Sequence, residues 1–152
     1  MKPLLVIGLG NPLMGDDGVG CAVAGRLADD PRLPEEVEVV SGGCDLLRYA
    51  AQMEGRSRVM VLDAVYESAE PGCILVFEDP GAELDATQDH AHHLSAGQAI
   101  QLLQMTMPLR ATLVGIGVSS AGFEPWLSPL MESRMPAILD RVLQELVWTS
   151  SM

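Results

Sequence analysis

The chain has 152 residues, 48% of them hydrophobic, and its 21 acidic and 9 basic side chains give a formal net charge of −12. That length and hydrophobic content suit one folded domain over residues 1–152 and argue against disorder. With no Lys/Arg cluster to act as an electrostatic footprint, nucleic acid and anionic membranes are poor partners. A cation or a basic protein suits the charge better, although an acidic surface that merely keeps the chain soluble is an equal explanation. The three cysteines, Cys21, Cys44 and Cys73, are widely spaced, which makes neither a disulfide framework nor a zinc ribbon and fits a reducing cytosol. The apolar run Leu4-Leu5-Val6-Ile7 is shorter than the ~7–15 residues of a secretory segment. No stretch approaches the ~20 apolar residues of a membrane span. A cytoplasmic location is expected.

Pro3 to Ile7 reads as a buried strand. From Asp17 the pattern is helical, with Val19, Val23 and Leu27 on one face, and Asp29-Asp30-Pro31 stops it. Val37 to Val40 is a second strand, broken by Gly42-Gly43, and Asp45 to Met53 a second helix. Arg58 to Leu62 is a third strand that ends at Asp63. Pro71-Gly72 turns the chain into Cys73 to Phe77, a fourth strand close enough for a hairpin-like antiparallel return. Residues 80–89 are polar and loop-like. Ala96, Ala99, Ile100, Leu103 and Met107 have helical spacing, and Thr112 to Val118 is a fifth strand. Ser128-Pro129 opens the last helix as a cap and a first-turn proline, with Met131, Met135, Ile138, Leu139, Val142 and Leu146 as its buried stripe. Strands alternating with helices predict an α/β three-layer sandwich: a five-stranded, mostly parallel sheet with one antiparallel strand, flanked by helices. Sites in such sheets lie beyond the carboxyl ends of the strands, where strand order reverses. If the first and third strands are neighbours, Asp16, Asp17 and Asp63 converge there.

The loop Gly8-Leu9-Gly10-Asn11-Pro12-Leu13-Met14-Gly15-Asp16-Asp17-Gly18-Val19-Gly20 joins the first strand to the first helix. It is built like a nucleotide-binding turn, but the details differ. Leu13 stands where the dinucleotide fingerprint needs its third glycine, and Asp16-Asp17 stand where a P-loop needs Lys and Ser/Thr. Two carboxylates at a helix start repel phosphate and welcome a cation or a proton. Adjacent residues cannot both point the same way. A helix N-cap is the natural role for Asp16, which leaves Asp17 to project into the crevice.

Gly8, Gly10, Asn11, Leu13, Asp16, Asp17 and Gly20 resemble the N-terminal signature of the hydrogenase maturation endopeptidases. These enzymes remove the C-terminal extension from the large subunit of [NiFe] hydrogenases. The resemblance implies an aspartic-type peptidase with the second acidic residue of the loop, Asp17, as a metal ligand. It also implies a ligand at the end of the third strand, Asp63, followed by Ala64 as in the family. The third implied ligand is a histidine two residues before an apolar residue that opens a helix, which selects His92 with Leu94. His90 is the competitor, and His93 points away. These ligands would complete the coordination of nickel that arrives bound to cysteines of the precursor large subunit; other divalent metals can occupy such a set in vitro. Without the resemblance, Asp63 reads equally as a helix cap, and the three histidines as a solvated loop. One departure stands out: relatives have Asp-Gly-Gly after the second strand, where this chain has Ser41-Gly42-Gly43.

Other schemes are weaker. Cys44, after two glycines near a helix start, invites a lowered thiol pKa, but a small packed thiol is the commoner role. Ser119-Ser120 follows the fifth strand without a Gly-x-Ser-x-Gly elbow. Two rival functions remain: a non-catalytic nickel carrier, and an α/β peptidase of the same fold acting on another substrate.

Overall fold

The computed structural model describes residues 1–66, 70–78, 95–119 and 122–150. Its strands are β1 (Leu4–Gly8), β2 (Val37–Ser41), β3 (Arg58–Val65), β4 (Ile74–Glu78) and β5 (Ala111–Gly117). Its helices are α1 (Val19–Ala28), α2 (Ala50–Met53), α3 (Ala96–Gln104) and α4 (Pro129–Ser150), with 3₁₀ turns at Gly15–Gly18 and Leu46–Tyr49. The strands form one sheet in the order β2-β1-β3-β5-β4. All pairings are parallel except β4 with β5. The expected three-layer α/β architecture is present, and β1 and β3 are neighbours.

Alternation along the strands sorts the apolar residues onto two faces. Leu4, Val6, Met60, Leu62, Val114 and Ile116 form one core with Val19, Val23 and Leu27 of α1 and Met131, Met135, Ile138, Val142 and Leu146 of α4. Leu5, Ile7, Val59, Val61 and Leu113 form the other with Leu46, with Met53 of α2, and with Ala96, Ile100 and Leu103 of α3. Central strands buried on both faces are the near-continuous apolar runs that a parallel sheet requires. The stripe read along the last helix is therefore one wall of the first core.

Two expectations about this framework need correction. β4 does not return against β3. It pairs with β5, Leu75 opposite Gly115 and Phe77 opposite Leu113, so β5 is inserted between them. The reading by proximity failed because β5 buries its apolar residues on both faces and belongs inside the sheet, while β4, whose Ile74–Glu78 are only half-buried or exposed, suits an edge. The second helix is also shorter than expected. Asp45 caps a 3₁₀ turn by accepting the Leu47 N–H at 3.0 Å, and only Ala50–Met53 is α-helical.

Glycines bring α1 down onto the sheet. A Cβ on Gly20 would lie 2.3 Å from the Leu9 oxygen and 2.4 Å from the Leu62 oxygen, both backbone atoms that cannot swing aside. A Cβ on Gly8 would meet the Gly20 oxygen at 2.4 Å. Gly20→Ala is therefore expected to lift the start of α1 off β1 and β3, at a cost of about 1–3 kcal/mol or more. A urea denaturation midpoint equal to that of the parent would show that the helix start yields freely.

Candidate active site

The site is built where the sheet changes direction. β1 ends at Gly8, opposite Leu62 of β3, and the chain then leaves through the glycine loop. Asp63 is the next residue of β3, so it is the first on that strand with no β1 partner beside it. β3 itself runs on to Val65 along β5, with Asp63 opposite Gly115. Crevices of this kind form at the switch point of open α/β sheets. Asp63 has the parity of Val59 and Val61, so it is on the face covered by α3.

Asp17 is held at the same mouth by the 3₁₀ turn. Its Oδ2 accepts the Asn11 backbone N–H at 3.0 Å, and its Oδ1 accepts a hydrogen bond from the Tyr66 hydroxyl. Asn11 is itself fixed, because its Oδ1 accepts the Leu13 N–H at 3.0 Å. Gly10, at φ 133°, allows the close approach that this arrangement needs, since a Cβ there would lie 2.1 Å from the Asp17 carbonyl oxygen. Of the loop-shaping residues, Gly8 and Gly10 make room, Asn11 ties the loop to Asp17, and Gly15, at φ 58°, donates its N–H to the Glu124 oxygen at 2.8 Å.

Burial pushes the Asp63 carboxyl up to about 7, against the lowering effect of its bond from the Ala64 N–H, and repulsion from Asp17 adds to the rise. Neither Asp17 nor Asp63 has a cationic partner among the described residues. Two carboxylates thus face one crevice without a counter-charge, a set of hard oxygen donors that a divalent cation would satisfy. Among the described residues, no group of three or more metal-binding side chains is assembled. His90, His92, His93 and Leu94 lie outside the described residues.

Asp16 does not cap the helix it precedes. Its Oδ1 accepts the Ser128 N–H at 2.8 Å and its Oδ2 the Ser128 hydroxyl at 2.7 Å, while Ser128 Oγ accepts the Met131 N–H at 3.2 Å. The expected cap at Ser128 is present, and Asp16 holds that cap from across the chain. The 3₁₀ turn ahead of α1 has no side-chain cap. Removing both bonds to a charged acceptor by Asp16→Ala is expected to lower unfolding stability by about 1–3 kcal/mol. Asp16→Asn should fall between, since its single carbonyl oxygen still accepts one of them. A urea midpoint for Asp16→Ala equal to the parent's would remove the clamp from the account.

Tyr66 was not among the residues singled out from the sequence. It lies just past the end of β3, where no residue pattern announces a partner for Asp17. Its hydroxyl is held above the usual phenol range by burial first and by the bond to Asp17 second. The cysteine scheme fails on electrostatics. Burial, together with repulsion from Asp17 and Asp63, raises the Cys44 thiol instead of lowering it. Cys21 is also raised, mainly by burial, and donates to the Gly8 and Gly10 carbonyl oxygens at 3.4 and 3.5 Å.

The sheet and its crevice define an α/β protein with two carboxylates, Asp17 and Asp63, at the switch point. A family model described as hydrogenase maturation protease matches residues 21–145, and the chain belongs to that family. The hydrogenase 2 maturation protease of Escherichia coli is 27% identical over 147 residues, which span 94% of this chain and 90% of that protein. The structure of the hydrogenase maturating endopeptidase HybD from E. coli is similar at a TM-score of 0.76 and 26% identity, covering 98% of this chain and 94% of that one. A hydrogenase 2 maturation peptidase from a Thaumarchaeota archaeon has a TM-score of 0.69 and 30% identity, with 95% and 98% covered. The described residues include no helix long and apolar enough to cross a membrane.

Proposed function

We propose that the protein is the endopeptidase that removes the C-terminal extension of a nickel-loaded [NiFe] hydrogenase large-subunit precursor. The observation that carries this reading is the pair of carboxylates, Asp17 and Asp63, converging on one crevice without a counter-cation among the described residues. Family membership supplies the substrate class. The nickel is cargo of the precursor, held by its cysteines, and Asp17, Asp63 and His92 complete its coordination. Once in place it can polarise a carbonyl or acidify a water. Asn11 and Tyr66 orient Asp17. Asp63, whose carboxyl lies near neutrality in the metal-free protein, gives up its proton on joining the nickel, so the aspartic-type reading rests on Asp17 and Asp63 as the pair that engages the metal. The reaction takes place in the cytoplasm, where the cysteines of precursor and peptidase remain reduced.

Connectivity supports a histidine ligand. α3 leads down to the amino end of β5, so its cap, Ser95, stands at the carboxyl ends of the strands on the face that Asp63 shares. His92 is three residues upstream, and three residues of chain span at most ~11 Å. In an extended segment alternate residues share a side, so His90 competes with His92 while His93 faces the other way.

The test is processing of a purified, nickel-loaded precursor, followed by intact-mass spectrometry. Wild type should release the C-terminal extension. His92→Ala should lose processing, His93→Ala should stay near wild type and His90→Ala should be intermediate at worst. An active His92→Ala with an inactive His90→Ala would move the ligand two residues upstream. Stable nickel binding by the isolated protein with no cleavage would favour a carrier.

A further inference from the structure

We propose that the exposed apolar surface made by Leu13, Phe123, Trp126 and Leu130 is where the precursor docks while its scissile segment occupies the carboxylate crevice. The inference rests on the peptidase reading above and names the surface that delivers the substrate to the site. The chain holds only two Trp and two Phe. One of each is laid out in solvent here, Phe123 at 89% exposure and Trp126 at 65%, beside Leu13 at 63%. Scattered exposed apolar side chains are ordinary, whereas a contiguous set marks an interaction surface.

The backbone makes this set contiguous. Met14 and Glu124 form a parallel β-bridge, and the Gly15 N–H donates to the Glu124 oxygen at 2.8 Å. Leu13 and Phe123 each precede a bridged residue, so they leave the pairing on the same side. A Cβ on Gly15 would lie 3.4 Å from the Gly122 oxygen and 4.0 Å from the Trp126 oxygen, which places the 122–126 turn against the glycine loop. The clamp from Asp16 to Ser128 then fixes the start of α4, and with it Leu130.

Three features select the precursor as occupant. The patch is carried by the same loop that carries Asp17, so a protein held on it is delivered to the crevice. Aromatic side chains, Trp above all, are the residues that anchor protein interfaces. Glu124, exposed in the middle of the patch, has no ion pair among the described residues, and the chain carries a net charge of −12. That combination fits a partner surface with apolar and cationic side chains side by side. A second copy of this acidic chain would set like charges against each other.

The test uses the double variant Phe123→Ser/Trp126→Ser, with Met105→Ser as control. Met105 is 79% exposed but follows the last turn of α3, at the opposite end of the sheet. Processing of nickel-loaded precursor and precursor binding to the free protein are both measured, along with the melting temperature and the oligomeric state. The double variant should raise KM and the precursor Kd at least about tenfold, with kcat within about twofold, an unchanged melting temperature and a silent control. An unchanged Kd overturns the docking surface. So does a large fall in melting temperature, or a dimer that the double variant dissociates. If wild type binds the precursor through the patch but does not cleave it, the peptidase reading fails and the docking surface stands.

Discussion

Asp17→Asn is expected to lower processing of the loaded precursor by at least roughly 100-fold, a loss larger than that caused by disturbing residues that merely orient a ligand. Stability should fall by only about 1 kcal/mol. The two effects separate because of how the carboxylate is held. Oδ2 accepts from the Asn11 backbone and Oδ1 from Tyr66, and an Asn side chain can still satisfy one of these donors. What it cannot supply is the negative charge that Asp63 faces across the crevice. Paired melting and processing measurements on the same preparation check this. An active Asp17→Asn beside an inactive but folded Asp16→Asn would exchange the roles of the two carboxylates.

Asp63→Asn should abolish processing to a similar extent and, unlike most substitutions in a folded protein, should stabilise the metal-free chain at neutral pH. The Asp63 carboxyl is raised from 3.8 to about 7 by burial and by Asp17, so the folded state binds its proton more tightly than the unfolded state. Between pH ~4 and ~7 the folded state carries the extra proton, and stability falls as pH rises through that window. Above pH ~7 the penalty is complete. At 1.36 kcal/mol per pKa unit, with solvent screening of a half-buried group, it amounts to about 1–3 kcal/mol. Asp63→Asn removes the penalty, and its Oδ1 can still accept the Ala64 N–H. The variant should therefore exceed the parent in urea midpoint at pH 8 with chelator present, and the difference should vanish near pH 4. A variant less stable than the parent at pH 8 would mean that the ionised carboxylate is favoured in the fold.

The framework was readable where a residue's environment is set by its own neighbours in the chain. Val59 and Val61 on one face, Met60 and Leu62 on the other, mark a strand buried on both sides, and the alternation of strands and helices marks a mostly parallel sheet, in which β1 beside β3 was one possible order. Asp17 and Asp63 were legible as a converging pair once β1 and β3 are neighbours, since Asp17 lies in the loop after β1 and Asp63 is the first residue of β3 beyond the end of β1. What escaped the sequence depends on distant partners. Nothing near Cys73 or Phe77 says that β5 will be inserted between β3 and β4. Asp16 satisfies the cap preference at its own helix start, yet its partner is Ser128, on the other side of the sequence. Tyr66 has no periodic signature at all, and only the turn of the glycine loop brings Asp17 to its hydroxyl. His90, His92 and His93 stood out as a clustered set of one residue type, the choice of His92 among them rested on the family resemblance, and all three lie outside the described residues.

The central claim is that Asp17 and Asp63 engage metal carried by the substrate, so that loading of the precursor licenses its cleavage. The most direct measurement incubates the wild-type protein with nickel-loaded and nickel-free precursor in parallel and follows the mass of the large subunit. The account predicts loss of the C-terminal extension from the loaded form alone. Equal cleavage of both forms would contradict it, because the crevice would then work without the cation that its paired carboxylates are arranged to receive.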